Sequence, residues 1–209
     1  MESRMKTENR ILKSCEMRVE GDGENRKLVG LAVPYGETTK IGGMFRETFQ
    51  RSVFSRALSE RQDIRALWNH NRDIVLGRSV VDTLRLKESK RGLEIEIDLP
   101  NSPNGENARE AIERGDVSGM SITFKPVKQE WSESDNKDGE LRTIVDADLF
   151  EVSPVTFPQY TSTSIELRST VEEYEEHRKS QERQGDAQER EKLRLKLELL
   201  TLEEDNDSE

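Results

Sequence analysis

The chain has one cysteine, Cys15, so an internal disulfide is excluded and a reducing compartment fits. One cysteine and two histidines, His70 and His177, are too few donors for a zinc site of the usual kind, and neither metal nor cofactor is expected. Lys and Arg number 33 against 43 Asp and Glu. With no basic excess, a nucleic-acid partner is not expected. No apolar run approaches the length that spans a bilayer, so no membrane association is expected. Met1 to Arg10 is charged and lacks an apolar core, which argues against a signal peptide. Apolar residues make up 32% and charged residues 36%, too polar for all 209 residues to form one packed core.

The polarity is uneven. Residues 170–209 carry −7 of the total net charge of −10 and leave the rest an ordinary soluble surface. The chain divides into a flexible N-terminus over 1–10, a folded domain over 11–168 and a charged tail over 169–209. Within the tail, Leu193, Leu197 and Leu200 fall on one side of a helix and Leu195, Leu199 and Leu202 on the other. Two readings stay open there, a helix held between partner chains and a disordered solubilising tail.

Alternation organises the domain. Leu93, Ile95, Ile97 and Leu99 alternate with Glu94, Glu96 and Asp98, the pattern of a half-buried strand whose carboxylates face water rather than a metal. Strands are also predicted over 11–20, 27–35, 63–69, 74–80 and 82–88, with a long hairpin over 119–131 and 140–152 and a strand-like piece at Ser164–Leu167. Cys15 reads as a small core residue in the first of these. Thr48 can cap a helix running to about Ser59, with Phe49, Val53, Phe54 and Ala57 on one face, and a second helix is expected over 106–114.

The chemistry centres on Gly115-Asp116-Val117-Ser118-Gly119-Met120-Ser121-Ile122-Thr123-Phe124. Gly115 can end the second helix in the left-handed conformation. Ser121 then starts a strand on the face opposite Ile122 and Phe124. Nucleophilic catalysis by a Ser–His pair would have to use His70, because His177 lies in the charged tail. Three features follow one another: Trp68-Asn69-His70 with Ile74-Val75-Leu76-Gly77, then Gly119-Met120-Ser121, then Phe150-Glu151-Val152-Ser153. Together they resemble the prohead maturation proteases of tailed bacteriophages, the HK97-type family, and more distantly the herpesvirus assembly proteases. The segment Phe45–Phe54 is similar to that family's entry to its first helix, with Arg51-Ser52-Val53-Phe54 where the family has Pro-Gly-Ala-Phe. The resemblance covers about residues 27–165.

That resemblance implies an α+β fold, an antiparallel β-barrel flanked by a few helices, to which composition adds a helical or disordered charged tail. It implies a serine endopeptidase that cuts scaffold or the capsid-protein arm, and itself, inside the procapsid assembling in the host cytoplasm. Major capsid protein and scaffold would be its partners, and a homo-oligomer is compatible with it. Ser121 would be the nucleophile, His70 the base and Glu151 the residue that orients it. Ser118 competes with Ser121 but precedes Gly119 and suits a turn. Asp146 and Asp148 compete with Glu151, which strict alternation would put on the face opposite to both. The alternative is a degenerate, non-enzymatic assembly protein.

Overall fold

The computed structural model describes residues 6–12, 16–23, 25–132, 139–156 and 164–206. Cys15, the hairpin tip at 133–138 and the side chains of 164–169 and 196–206, including Leu197, Leu199, Leu200 and Leu202, lie outside that description. The chain forms two compact units, Met1–Leu167 and Arg168–Glu209.

The first unit is built mostly of strands. In chain order they are β1 (Glu8–Leu12), β2 (Met17–Glu20), β3 (Lys27–Pro34), β4 (Thr38–Ile41), β5 (Phe45–Phe49), β6 (Arg65–Trp68), β7 (Asn71–Arg78), β8 (Leu84–Glu88), β9 (Gly92–Asp98), β10 (Gly119–Ser132) and β11 (Leu141–Val155). Helix α1 spans Ser55–Ser59 and α2 spans Pro103–Glu113. Helix α3 (Ser164–Asn206) takes up the piece expected to be strand-like, Ser164–Leu167, and runs on through the second unit. Its Leu193 and Leu195 are exposed. No described helix is long and apolar enough to cross a membrane.

The strands do not close into the expected barrel. They form a seven-stranded sheet along β1-β10-β11-β5-β4, with β6 and β7 also joined through β11, and a separate four-stranded sheet β2-β3-β9-β8. Closure requires each strand to have two neighbours, whereas β1, β4, β7, β2 and β8 each have one. Nor is the pairing all antiparallel, since β11 runs parallel to both β5 and β6. Alternation signals a strand but not the direction of its partner. The expected first strand over 11–20 is likewise two short strands in different sheets, and residues 8–10, at the end of the segment expected to be flexible, belong to β1.

Period-2 burial fits the strand assignments. Leu93, Ile95, Ile97 and Leu99 pack into the core with Leu28 and Val33. On the wet face Glu96 and Asp98 pair with Arg85, and Glu96 also with Lys27. The expected helix from Thr48 is instead the end of β5, a turn, and the five-residue α1. Phe49, Val53, Phe54 and Ala57 are nonetheless all buried. Helical spacing there marks residues brought to one core by a strand, a turn and a helix in succession. The Glu88 carboxylate, far along the chain, accepts from Phe54 N (2.9 Å) and Ser55 Oγ at the start of α1.

β11 positions the site. Its far edge changes partner along its length: after β5 the gap is bridged by Ala147 N to Val53 O (3.1 Å) and Leu149 N to the Gln62 amide oxygen (3.1 Å). β6 then takes over at Glu151 and Val152. The other edge pairs with β10 from Gly119↔Val155 to Ser132↔Leu141. Beneath this hairpin Glu8 and Arg10 of β1 meet Glu47 of β5 and Arg142 of β11, all four buried. Arg142 donates to Glu8 (2.7 and 2.9 Å) and Glu47 (2.9 Å), and Arg10 donates to Glu47 (2.5 and 3.0 Å) and Glu8. Burial opposes ionisation of Glu8, but Arg10 and Arg142 outweigh it and hold the carboxyl below its ordinary 4.5.

Candidate active site

α2 opens at Ser102, whose hydroxyl accepts from Gly105 N (3.4 Å), with Pro103 in the first turn. It closes at Gly115, φ +78°, where Gly115 N bonds Ile112 O (3.0 Å) and Asp116 N bonds Ala111 O (2.9 Å). That six-to-one and five-to-two pair requires a left-handed residue, which glycine supplies without strain. The chain leaves through Val117 and an exposed Ser118 into β10. Met120, Ile122 and Phe124 are fully buried on the core face, which puts Ser121 and Thr123 on the other.

The opposite arm delivers the carboxylate. Thr123 lies across from Glu151 and Ser121 across from Ser153, but Phe124 pairs with Leu149, so Phe150 has no partner. This one-residue bulge cancels the parity change expected between Asp148 and Glu151. Asp148 opposite Lys125, Glu151 and Ser153 therefore share one face. Sequence gives no sign of it. Asp146 and Asp148 are engaged by Arg56 (3.0 and 2.6 Å), and Asp148 also by Gln62 (2.8 Å). Neither bonds the imidazole.

His70 comes from the two-residue turn between β6 and β7. Trp68 pairs with Asn71, and Asn69 and His70 both take positive φ, +52° and +59°. Only a turn of this mirror-image type matches the twist of a tight hairpin, and Asn tolerates it well. Asn69 anchors the turn to the end of β11: its N–H donates to Pro154 O (3.0 Å), while its side chain accepts from Thr156 N (2.8 Å) and donates to Thr156 Oγ1 (3.0 Å). The imidazole folds back so that Nδ1 lies 2.6 Å from Glu151 Oε1.

The structure thus joins His70 to Glu151 and places Ser121 one cross-strand pair along on the same face. Diagonal neighbours across such a ladder are about 7–8 Å apart, a gap that an imidazole can span. Ser121 is not bonded to His70, however. Its hydroxyl donates to the Arg10 carbonyl (3.1 Å), and the residue is fully buried. Glu151 holds two further bonds that sequence reasoning missed, from Ser153 Oγ (2.5 Å) and Thr123 Oγ1 (3.2 Å). The paired patterns Ser121-x-Thr123 and Glu151-x-Ser153 on the two arms of one hairpin were the available signal. Burial pushes the Glu151 carboxyl up, but the bonds from His70 and Ser153, the charge of His70 and the Thr123 bond together hold it below its ordinary value. Ionised and braced, it can fix one imidazole tautomer and leave the other ring nitrogen free to take a proton.

No curated protein matches the chain. Among solved structures it is similar to the capsid assembly protease gp21 of bacteriophage T4, with 9% identity and a TM-score of 0.42 over 71% of this chain and 98% of that one. The family model for the caudovirus prohead serine proteases matches residues 13–179, and the chain belongs to that family.

Proposed function

We propose that this protein is a serine endopeptidase that matures the phage head from inside the assembling procapsid in the host cytoplasm, cutting scaffold or the arm of the major capsid protein and also itself. The observation that carries this reading is the 2.6 Å contact between His70 Nδ1 and Glu151 Oε1 on the face that bears Ser121, in a chain of the prohead serine protease family. In this mechanism His70 Nε2 takes the Ser121 proton as Oγ attacks the peptide carbonyl. The resulting imidazolium, stabilised by Glu151, returns that proton to the leaving amine, and water then cleaves the acyl-enzyme by the same route. The deciding experiment coexpresses the chain with its capsid protein and follows the size of both. Shortening that stops in Ser121→Ala supports the protease. Intact products from the wild-type chain would favour an assembly protein without activity, the reading that the buried, turned-away Ser121 hydroxyl supports.

Glu151 assists without reacting. Glu151→Gln should therefore lose on the order of 10²-fold or more in kcat, yet stay at least about tenfold above Ser121→Ala. Asp148→Asn, which removes a partner of Arg56, should cleave at the wild-type rate. Steady-state cleavage of a capsid-derived peptide checks both. A silent Glu151→Gln would remove it from the mechanism.

The tail is proposed as the packaging segment. Its leucines could contribute roughly 1.5–3 kcal/mol each when covered by a partner, before ordering costs. A chain ending near Arg168 is expected to fold and to cleave added substrate but to enter procapsids poorly. Protease copies per procapsid, counted by mass spectrometry in a Ser121→Ala background, check this. Equal copies with and without the tail would exclude the role.

A further inference from the structure

Strand β1 accepts hydrogen bonds from two hydroxyls of the site. A serine or threonine hydroxyl has one proton to donate. Ser121 gives its proton to the Arg10 carbonyl (3.1 Å). Thr123 Oγ1 lies 2.6 Å from Asn9 Oδ1 and 3.2 Å from Glu151 Oε2, so its one proton is shared between them, with the nearer acceptor on β1. β1 is also the edge strand of its sheet, laid antiparallel on β10 with Ile11 across from Ser121 and Asn9 across from Thr123. An extended peptide adding to a sheet edge occupies this kind of position.

The charges beneath it fit a removable strand. β1 brings one acid and one base, Glu8 and Arg10, and the body supplies one of each, Glu47 and Arg142, which also bond each other (2.9 Å). Leaving takes a neutral pair away and leaves a neutral pair behind, so neither piece keeps an uncompensated buried charge.

Resting on the protease reading, we infer that β1 is a built-in plug. It fills the strand position beside Ser121 that a substrate would use, and diverts the nucleophile's proton from His70. Its release opens the edge of β10 to an extended peptide, and the Glu47–Arg142 pair favours one that carries a carboxylate and a guanidinium two residues apart.

The test compares full-length wild type with Glu8→Gln/Arg10→Met, which neutralises the pair on β1 alone. Two readouts are used: the rate at which a fluorophosphonate labels Ser121, and amide exchange at Ile122–Phe124. The variant should label roughly tenfold faster or more and exchange faster. A synthetic peptide of residues 6–12 should restore slow labelling, and the same peptide with Glu8 and Arg10 interchanged should not. Wild-type rates of labelling or of exchange in the variant overturn the plug. Should the double variant fail to fold, Asn9→Ala, which keeps the ion quartet, should label about twofold to tenfold faster, the scale of one hydrogen bond; an unchanged rate overturns the proposal. Binding of the fluorescein-labelled peptide to Glu8→Gln/Arg10→Met/Ser121→Ala, read by anisotropy, separates the two ideas. Peptide bound with no chain ever labelled sinks the protease and keeps the edge site. Labelling without peptide binding keeps the protease and sinks the plug.

Discussion

Ser121→Ala and His70→Ala should each lower cleavage on the order of 10⁴-fold or more, and the double variant should lose little beyond either single one. The reason is the dependence of each step on both groups. The hydroxyl is a poor nucleophile until the imidazole takes its proton, and the imidazole has nothing to activate once the hydroxyl is gone. The measurement is kcat/KM on a capsid-derived peptide for the two single variants and the double, with Ser118→Ala alongside. Additive losses, or loss with Ser118→Ala but not with Ser121→Ala, would move the chemistry to another residue.

Arg142→Ala should produce the largest loss of stability. The guanidinium is fully buried and donates to Glu8, Glu47 and Gln129 (2.6 Å). Its removal leaves two carboxylates facing one arginine, an uncompensated charge in the interior. Breaking a buried pair in this way costs about 3–5 kcal/mol, which for a domain of this size is about 10 °C in Tm. Removing Arg142 and Glu47 together leaves Glu8 with Arg10, still balanced, so Arg142→Met/Glu47→Leu should lose less than Arg142→Ala alone. Calorimetry of the two variants checks the order. If the balanced double variant melts lower than the single one, charge balance is not what holds the quartet together.

What could be read from sequence follows the reach of each signal. Alternation at Leu93–Leu99 is local and uncontested, and burial there matches it residue for residue, whereas at Ser121–Phe124 the outward-facing Ser121 is itself buried. The order Asn69-His70, Gly119-Met120-Ser121 and Glu151 pointed to residues that the fold gathers onto one sheet face. Strand direction is not local, and the parallel pairings of β11 with β5 and β6 were invisible. Charge misleads when its partner is distant. Glu8 looks like solvent-facing surface until Arg142, 134 positions away, accounts for its burial. Ser153 and Thr123 act through hydrogen bonds to a side chain on the neighbouring strand or two residues away. Only the matching two-residue spacing of Ser121-x-Thr123 and Glu151-x-Ser153 marks that role.

The bulge at Phe150 makes the hairpin tolerant of length change in one direction only. Phe150 is 42% exposed and pairs with nothing, and Leu149 and Glu151 on either side already point to opposite faces. A chain lacking Phe150 would close into a plain ladder with Glu151 still opposite Thr123. A chain with one more residue at that point has no second vacancy in the pairing to absorb it, and the carboxylate would swing to the core side, away from the imidazole. Shortening here should therefore leave a site to be re-aimed, whereas lengthening should leave none.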